Sequence, residues 1–187
     1  MEQKIECNCV FDPCIYYMID EHIIFFVAVY VDDLLLFSNN DDFKILVKSH
    51  LMKKFVMKDL GVASCCVGLR IRRDRKNGII YVDQETYSKE ILARFNMTDC
   101  KPVFTPADEN TKLLKSSKIV EDNIPYQEAV GSLLYLAQGT RPDLAYAINY
   151  VSKFNNCYDQ SHWKSIKRIF RYLQNTLNYK LKFVKDT

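Results

Sequence analysis

Residues 23–37 read IIFFVAVYVDDLLLF, two apolar runs on either side of a pair of aspartates. Residues 23–30 are rich in β-branched and aromatic side chains, which favours a buried β-strand. Residues 34–37 form a second, shorter apolar run, and only Val31, Asp32 and Asp33 separate the two. So short a separation predicts an antiparallel hairpin whose tip carries both aspartates.

The two adjacent aspartates are candidate metal ligands. Carboxylates placed where a buried strand turns lose solvation, which is unfavourable unless a positive group compensates them. Mg²⁺ binds such oxygens, and two ions held by carboxylates are a device for phosphoryl transfer. Asp-Asp is also common in ordinary hairpin turns, so the dipeptide alone favours a plain turn, and the flanking apolar strands shift this only modestly.

Strands and a helix are predicted on both sides of this hairpin. Residues 14–19 favour a strand, and Asn39, Asn40 and Asp41 offer N-caps for a following helix. That helix has an apolar stripe at helical spacing, with lysines outside it: Phe43, Leu46, Val47, Leu51 and Phe55.

A second hairpin and helix follow. Residues 65–71 and 79–82 predict strands, and Asn77-Gly78 between them is typical of a type I′ turn. Asp83 can cap the next helix, whose predicted apolar face consists of Tyr87, Ile91, Leu92 and Phe95.

The last part of the chain is predicted to be helical. Residues 101–125 contain three prolines and little periodicity, which indicates a linker or extended loop. Helices are predicted over residues 126–137, 142–154 and 161–177. The chain is thus β-rich early and α-rich late, so we predict an α+β fold, with an antiparallel sheet and helices packed on one face.

Composition and charge limit the function classes. Hydrophobic residues make up 48% of the 187 and charged residues 26%, a globular composition. No apolar run is long enough for a membrane span, and the seven cysteines form no zinc-binding pattern. Residues 1–42 carry nine acidic residues and one basic residue, whereas residues 43–187 have a net charge of +11. Such a basic body is consistent with a polyanionic partner, although on charge alone an unevenly charged, solvated surface is the favoured explanation.

Short motifs lie in order along the chain from about residue 12 to residue 183. Residues 30–33, YVDD, resemble the Y-x-D-D box of reverse transcriptases. The surrounding motifs resemble, in the same order, those of the copia-type LTR retrotransposons: DPCIY (12–16), KKFVMKDLG (53–61), YSKEILARFNM (87–97), TP (105–106), VGSLLY (130–135), TRPDLAY (140–146), HW (162–163) and RIFRY (168–172).

The resemblance implies an architecture and an activity. Residues 1–64 correspond to the later part of a palm, 65–100 to a primer-grip hairpin and thumb helix, 101–125 to a linker, and 126–187 to a helical connection segment. The intact enzyme is an RNA-directed DNA polymerase that adds deoxynucleotides to a primer with two Mg²⁺ ions. Its partners are a primer-template duplex of RNA or DNA, deoxynucleotide triphosphates and the remainder of the Pol polyprotein.

The resemblance also assigns residues. Asp32 and Asp33 are the implied catalytic metal ligands, with Tyr30 and Val31 near the primer end or the nucleotide. The implied primer grip comprises Cys66, Val67, Gly68 and Leu69. Contacts to the nucleic-acid backbone are expected from Arg70, Arg72, Arg73, Lys89 and Arg94, although a solvated surface role is as common for any one of them.

Two departures from the family pattern shape the expectation for the chain alone. In the family a third metal-binding aspartate and the fingers precede the first matched motif, and bulky aromatics stand near the positions of Cys65 and Cys66. We therefore expect a partial domain that polymerises little or nothing by itself, in the cytoplasm or the nucleus and not in a membrane. The alternatives are a non-catalytic nucleic-acid-binding remnant of a decayed element and an inert product.

Overall fold

The computed structural model describes residues 8–9, 12–108, 111–116 and 124–185. The chain divides into two compact units, Met1–Ala63 and Ser64–Thr187, a coarser division than the four predicted segments. Both units combine antiparallel strands with helices, which confirms the α+β class, although there are two four-stranded sheets where one was predicted. Parts of the predicted segments 1–64, 101–125 and 126–187 lie outside the described residues.

The first unit is a four-stranded sheet with one helix. Its elements are β1 (Asn8–Cys9), β2 (Asp12–Ile19), β3 (Ile24–Tyr30), β4 (Asp33–Ser38) and α1 (Asp41–Lys54), and the strands follow one another in sheet order. The predicted hairpin is therefore confirmed as β3 and β4. The N-cap of α1 is Asn40, whose side chain accepts a hydrogen bond from the Phe43 N–H at 3.0 Å, as the sequence predicts.

Helix α1 packs on one face of this sheet through aromatic rings. Phe25 of β3 is fully buried, and its ring meets that of Phe43 edge-on, with centroids 5.2 Å apart. The rest of the predicted apolar stripe is not enclosed, because no residue of α1 is fully buried and Leu46 and Phe55 are exposed. The predicted helix is thus confirmed, with its apolar stripe only partly buried.

The second unit begins with a sheet of antiparallel strands. They are β5 (Cys65–Cys66), β6 (Leu69–Asp74), β7 (Ile79–Asp83) and β8 (Leu181–Val184), in that order across the sheet. The strand predicted over residues 65–71 is in fact two strands, because the chain turns at Val67 and Gly68, which both have positive φ.

The hairpin between β6 and β7 exists, but its predicted type I′ turn was wrong. Asp74 pairs with Ile79, so the loop has four residues, 75–78, and only Gly78 has a positive φ. The Asp74 carboxylate organises this loop by accepting hydrogen bonds from the N–H of Asn77 at 3.1 Å and from its side-chain amide at 2.7 Å.

Strand β8 was missed by the sequence analysis, which extended the helical segment to the end of the chain. Leu181, Lys182, Phe183 and Val184 pair with residues 79–82 of β7. The last strand thereby joins the sheet that begins this unit, although the helical region lies between β7 and β8 in the sequence.

The helices of this unit share one hydrophobic core. They are α2 (Glu85–Arg94), α3 (Tyr126–Gly139), a short 3-10 helix (Pro142–Leu144), α4 (Ala145–Ser152) and α5 (Gln160–Asn175), close to the predicted bounds. The fully buried side chains include Ile91 and Leu92 of α2 together with Leu133, Leu136, Ile148, Ile166, Phe170 and Leu173. The implied thumb helix and connection helices therefore pack as one body. No described helix has the length and apolar character needed to cross a membrane.

The predicted linker lies against this core where it is described. The Arg171 guanidinium donates to the Lys101 carbonyl at 2.6 Å, and the Leu113 N–H donates to the Tyr150 hydroxyl at 3.0 Å. Leu113 is buried. Residues 101–108 and 111–116 thus include anchored positions, whereas the predicted linker residues 109–110 and 117–123 lie outside the described part.

Candidate active site

The hairpin tip of the first unit holds both candidate metal ligands. Tyr30 pairs directly with Asp33, so Val31 and Asp32 form a two-residue turn. Val31 has φ 51 while Asp32 is not in the left-handed region, the pattern of a type II′ turn, whose first position favours glycine. A β-branched residue there is strained, and such strain often accompanies functional sites.

The tip is open to solvent. Asp32 and Asp33 are exposed, Tyr30 is 55% exposed and Val31 84%. The solvation cost expected for carboxylates in a buried turn therefore does not arise. Among the residues that the structure describes, neither carboxylate has a hydrogen-bond or ion-pair partner, and no cation competes for them.

The side chains of Tyr30 and Asp33 lie on the sheet face opposite the one that Phe25 presents to α1. Side chains alternate along a strand, so Phe25, which meets α1, and Tyr30 lie on opposite faces. Asp33 shares the face of its direct partner Tyr30. Phe37 on that same face is 45% exposed. In the described part of the first unit, the Asp33 side chain is therefore exposed on the face opposite α1.

The donor set at the tip suits Mg²⁺ but is incomplete. Mg²⁺ prefers oxygen ligands and often uses one or two carboxylates, completing its shell with water and substrate phosphates. Over the described ranges no group of three or more His, Cys, Asp or Glu side chains could hold a metal. Asp32 and Asp33 thus fit as a partial ligand pair.

The candidate primer-grip turn belongs to the second unit. Cys66 pairs with Leu69, so Val67 and Gly68 form a two-residue turn, and their φ values of 50 and 71 match a type I′ turn. Val67 and Gly68 are exposed, and Cys66 and Leu69 are half-buried. The two central residues of the turn are therefore accessible to solvent.

Two of the arginines expected to contact phosphate are bound to acidic side chains. Asp83 is buried, and its carboxylate accepts from Arg70 Nε at 2.9 Å and Arg72 Nη2 at 2.8 Å. Arg70 also forms an ion pair with Glu85. Burial would raise the pKa of Asp83, but the Glu85 N–H and the two arginines outweigh it and lower that pKa. Asp83 and Glu85 thus offset much of the charge of Arg70 and Arg72, whose side chains remain partly exposed.

The other basic candidates differ in their surroundings. Lys89 Nζ lies 2.7 Å from a Glu85 carboxylate oxygen, and Arg94 Nη1 lies 3.6 Å from Glu128. Arg73 is exposed on β6. Phosphate contacts from these residues remain predictions. Among the described residues, Lys89 and Arg94 have acidic partners, whereas no ion pair engages Arg73.

Comparisons with known proteins identify the family. The profile of the family described as reverse transcriptase (RNA-dependent DNA polymerase) matches residues 11–109. The chain belongs to the reverse transcriptase family. The matched range contains the YVDD hairpin, the turn at residues 67–68 and α2.

Relatives of this chain include Pol polyproteins of transposons. The retrovirus-related Pol polyprotein from transposon TNT 1-94 of Nicotiana tabacum is 39% identical over 88% of this chain and 13% of its own length. The one from transposon RE1 of Arabidopsis thaliana is 35% identical over 92% of this chain and 12% of its own length. The resemblance to copia-type elements is therefore confirmed, and the chain spans only about an eighth of these relatives. No solved structure matches the chain.

A shorter relative covers the same region. A putative Ty5-1 transposon protein of Saccharomyces cerevisiae is 33% identical over 84% of this chain and 51% of its own length. In this and the longer relatives, the matched span extends well past residue 109, so the similarity to transposon proteins includes helices of the second unit.

Proposed function

We propose that this chain supplies two metal-binding carboxylates of a transposon RNA-directed DNA polymerase. Asp32 and Asp33 bind Mg²⁺, with Tyr30 and Val31 beside the primer end or the incoming nucleotide. The observation that carries the proposal is the exposed, strained tip with its two carboxylates, in a chain of the reverse transcriptase family. When bound, Mg²⁺ would activate the primer 3′-oxygen and steady the leaving pyrophosphate.

The turn supports this role by fixing where the two carboxylates lie. Asp33 is the first residue of β4 and is held by its pairing with Tyr30, whereas Asp32 stands in the turn itself. The paired strands behind them restrict the backbone, so little ordering is needed when a cation binds. Neither carboxylate is engaged by a described cation, so both remain available to the metal.

The remaining parts of the polymerase site come from elsewhere. Two carboxylates leave most of the oxygen positions around Mg²⁺ to water, nucleotide phosphates and further ligands. We propose that another carboxylate and the nucleotide pocket belong to other parts of the Pol polyprotein. Within this chain the turn at Cys66, Val67, Gly68 and Leu69 acts as the primer grip, and α2 acts as a thumb helix along the duplex.

A hybrid polyprotein tests the proposal. In it, this chain replaces the matching segment of the tobacco Pol relative, to which it is 39% identical. Mg²⁺-dependent extension of a primer on an RNA template is expected, whereas the chain alone should extend little or nothing. Because metal-held charges are worth several kcal/mol in the transition state, Asp32→Asn or Asp33→Asn should lower the rate at least about a hundredfold.

The matched control is Asp42→Asn, an exposed aspartate on α1. It should leave extension within about twofold, as expected for a surface substitution. Robust extension by the Asp32→Asn hybrid would remove this residue from the catalytic role.

The second candidate function is nucleic-acid binding without synthesis, favoured by the net charge of +11 over residues 43–187. The engagement of Arg70 and Arg72 by Asp83 reduces the charge available to a duplex. If the chain binds duplex, its binding constant K should fall as the salt concentration rises. A plot of log K against log salt concentration should have a slope of about −0.9 for each phosphate neutralised. Salt-dependent binding by a hybrid that extends no primer would favour this function over the polymerase.

A further inference from the structure

The turn between β5 and β6 is held in a disfavoured backbone conformation. Val67 has φ 50, and a β-branched residue is rare in this left-handed region. Such a conformation persists when surrounding contacts determine it. One such contact reaches the turn from α3.

Tyr135 of α3 binds the backbone of this turn directly. Its hydroxyl donates a hydrogen bond to the Val67 carbonyl at 2.6 Å. The Tyr135 ring meets the ring of Tyr87 edge-on, with centroids 5.0 Å apart, and the Tyr87 hydroxyl donates to the Ser132 carbonyl at 3.4 Å. The turn is therefore linked to α3, and the aromatic pair links α3 to α2.

Gly68 completes the fit between the turn and this hydroxyl. A Cβ added at Gly68 would lie 2.9 Å from Tyr135 Oη, closer than such atoms ordinarily approach. Its φ of 71 disfavours other residues as well. Two features therefore favour glycine at position 68: its positive φ and the Tyr135 hydroxyl that lies close to it.

Packing alone does not hold Tyr135. The side chain is 38% exposed, and it borders a cavity of about 600 Å³ that Cys65, Tyr87 and Glu90 also line. A phenylalanine at position 135 would keep the edge-on ring contact and lose only the hydroxyl. The hydrogen bond to Val67 can therefore be removed without creating a new cavity.

We propose that Tyr135 is a positioning residue for the polymerase, fixing the turn at residues 66–69 so that the turn holds the primer in a single place. This inference rests on the proposed function, because it needs the turn to touch the primer. The hydroxyl acts through Val67 and does not itself contact the nucleic acid. Small displacements of a reacting group reduce turnover strongly, so loosening the turn should lower kcat more than it weakens duplex binding.

The test uses the hybrid polyprotein with Tyr135→Phe, and with Tyr146→Phe as the matched control. Tyr146 is a 76% exposed tyrosine of α4. Loss of one hydrogen bond predicts a kcat roughly three- to tenfold lower for Tyr135→Phe, with the duplex Kd unchanged within about twofold. Tyr146→Phe should change neither quantity.

A second pair of variants tests the contact itself. Gly68→Ala should lower kcat, and its effect should be smaller in the Tyr135→Phe background, because the hydroxyl that the new Cβ meets is absent. Such non-additivity is the signature of residues in contact. If Gly68→Ala does not fold, the kcat-to-Kd comparison for Tyr135→Phe decides alone.

The possible outcomes distinguish failure of the Tyr135 positioning role from failure of the proposed polymerase function. Wild-type kcat in Tyr135→Phe, or equal losses in kcat and duplex affinity, would overturn the role of Tyr135. If Asp32→Asn removes synthesis while Tyr135→Phe does not lower it, only the positioning role fails. A wild-type hybrid that extends no primer, or an Asp32→Asn hybrid that still does, counts against the proposed function and the inference together.

Discussion

The Asp143 carboxylate compensates the charge of a buried guanidinium, so its removal should strongly destabilise the second unit. Arg141 is 2% exposed, and its Nε and Nη2 donate to the two Asp143 oxygens at 3.0 and 2.8 Å. Tyr172 adds a third hydrogen bond to Asp143 at 3.0 Å. Asp143→Ala leaves the charge of Arg141 inside the protein without its counter-ion.

The expected loss follows from burial and from the partners that remain. Breaking one side of a buried ion pair costs about 3–5 kcal/mol. The Asp143 side chain is 31% exposed, and Arg141 keeps the Thr176 carbonyl at 3.1 Å. Both features favour the lower end of this 3–5 kcal/mol range, so we expect Asp143→Ala to lower the free energy of unfolding by about 3 kcal/mol. This is a large part of the roughly 5–15 kcal/mol that stabilises an ordinary domain.

Urea unfolding of the chain measures this loss. Trp163 is the single tryptophan, and its ring lies 6.4 Å from that of Phe95 in the second unit, so its fluorescence reports on this unit. The matched control is Tyr172→Phe, which removes one hydrogen bond to Asp143 and should cost about 1 kcal/mol.

A double variant separates an uncompensated charge from lost packing. Arg141→Met with Asp143→Ala removes both charges, so it should be more stable than Asp143→Ala alone. If Asp143→Ala lowers the free energy of unfolding no more than Tyr172→Phe does, Asp143 does not compensate a buried charge on Arg141. A double variant less stable than the single one would contradict that role as well.

Two further predictions concern the tip and the arginine network. Val31→Gly should raise the unfolding free energy by up to about 1 kcal/mol in urea unfolding followed by circular dichroism, since a strained φ is relieved and Val31 is 84% exposed. A loss greater than the roughly 1 kcal/mol of backbone entropy that glycine costs would contradict strain at Val31. Lys89 and Arg70 lower the pKa of Glu85 from 4.5 to about 2. A carboxyl with a depressed pKa stabilises the fold above its unfolded value, so stability should fall as pH drops from 4.5 towards 2, and acid titrations of Glu85→Gln should show a weaker fall; identical titrations would contradict this.

Local pattern predicted much of the fold. The apolar runs around Asp32 and Asp33 were enough for the hairpin, and Asn40 was among the caps expected for α1. Three helices of the second unit were placed within a few residues because apolar spacing and Pro142 define them. The position of the aspartate pair at the tip was likewise predictable.

Long-range pairing was not predictable in the same way. Leu181 and Phe183 alternate with lysine and valine, a weak strand pattern, but nothing local shows that they pair with β7. The engagement of Arg70 by Asp83 depends on the register between β6 and β7. Tyr135 was visible only as part of an apolar helix, because its target is a carbonyl 68 residues away.

The central claim is that Asp32 and Asp33 bind divalent cations, and a Mn²⁺ titration of the chain followed by NMR tests it most directly. Mn²⁺ takes oxygen ligands like those of Mg²⁺. The control is the other Asp-Asp pair, Asp41 and Asp42, which lies in the first turn of α1, where the helix dipole opposes a cation, and where Lys44 pairs with Asp41. Signals of residues 30–34 should broaden at lower Mn²⁺ than those of residues 41–42, and Asp32→Asn with Asp33→Asn should abolish this. Equal broadening at both pairs, or none at the hairpin tip, would contradict the claim.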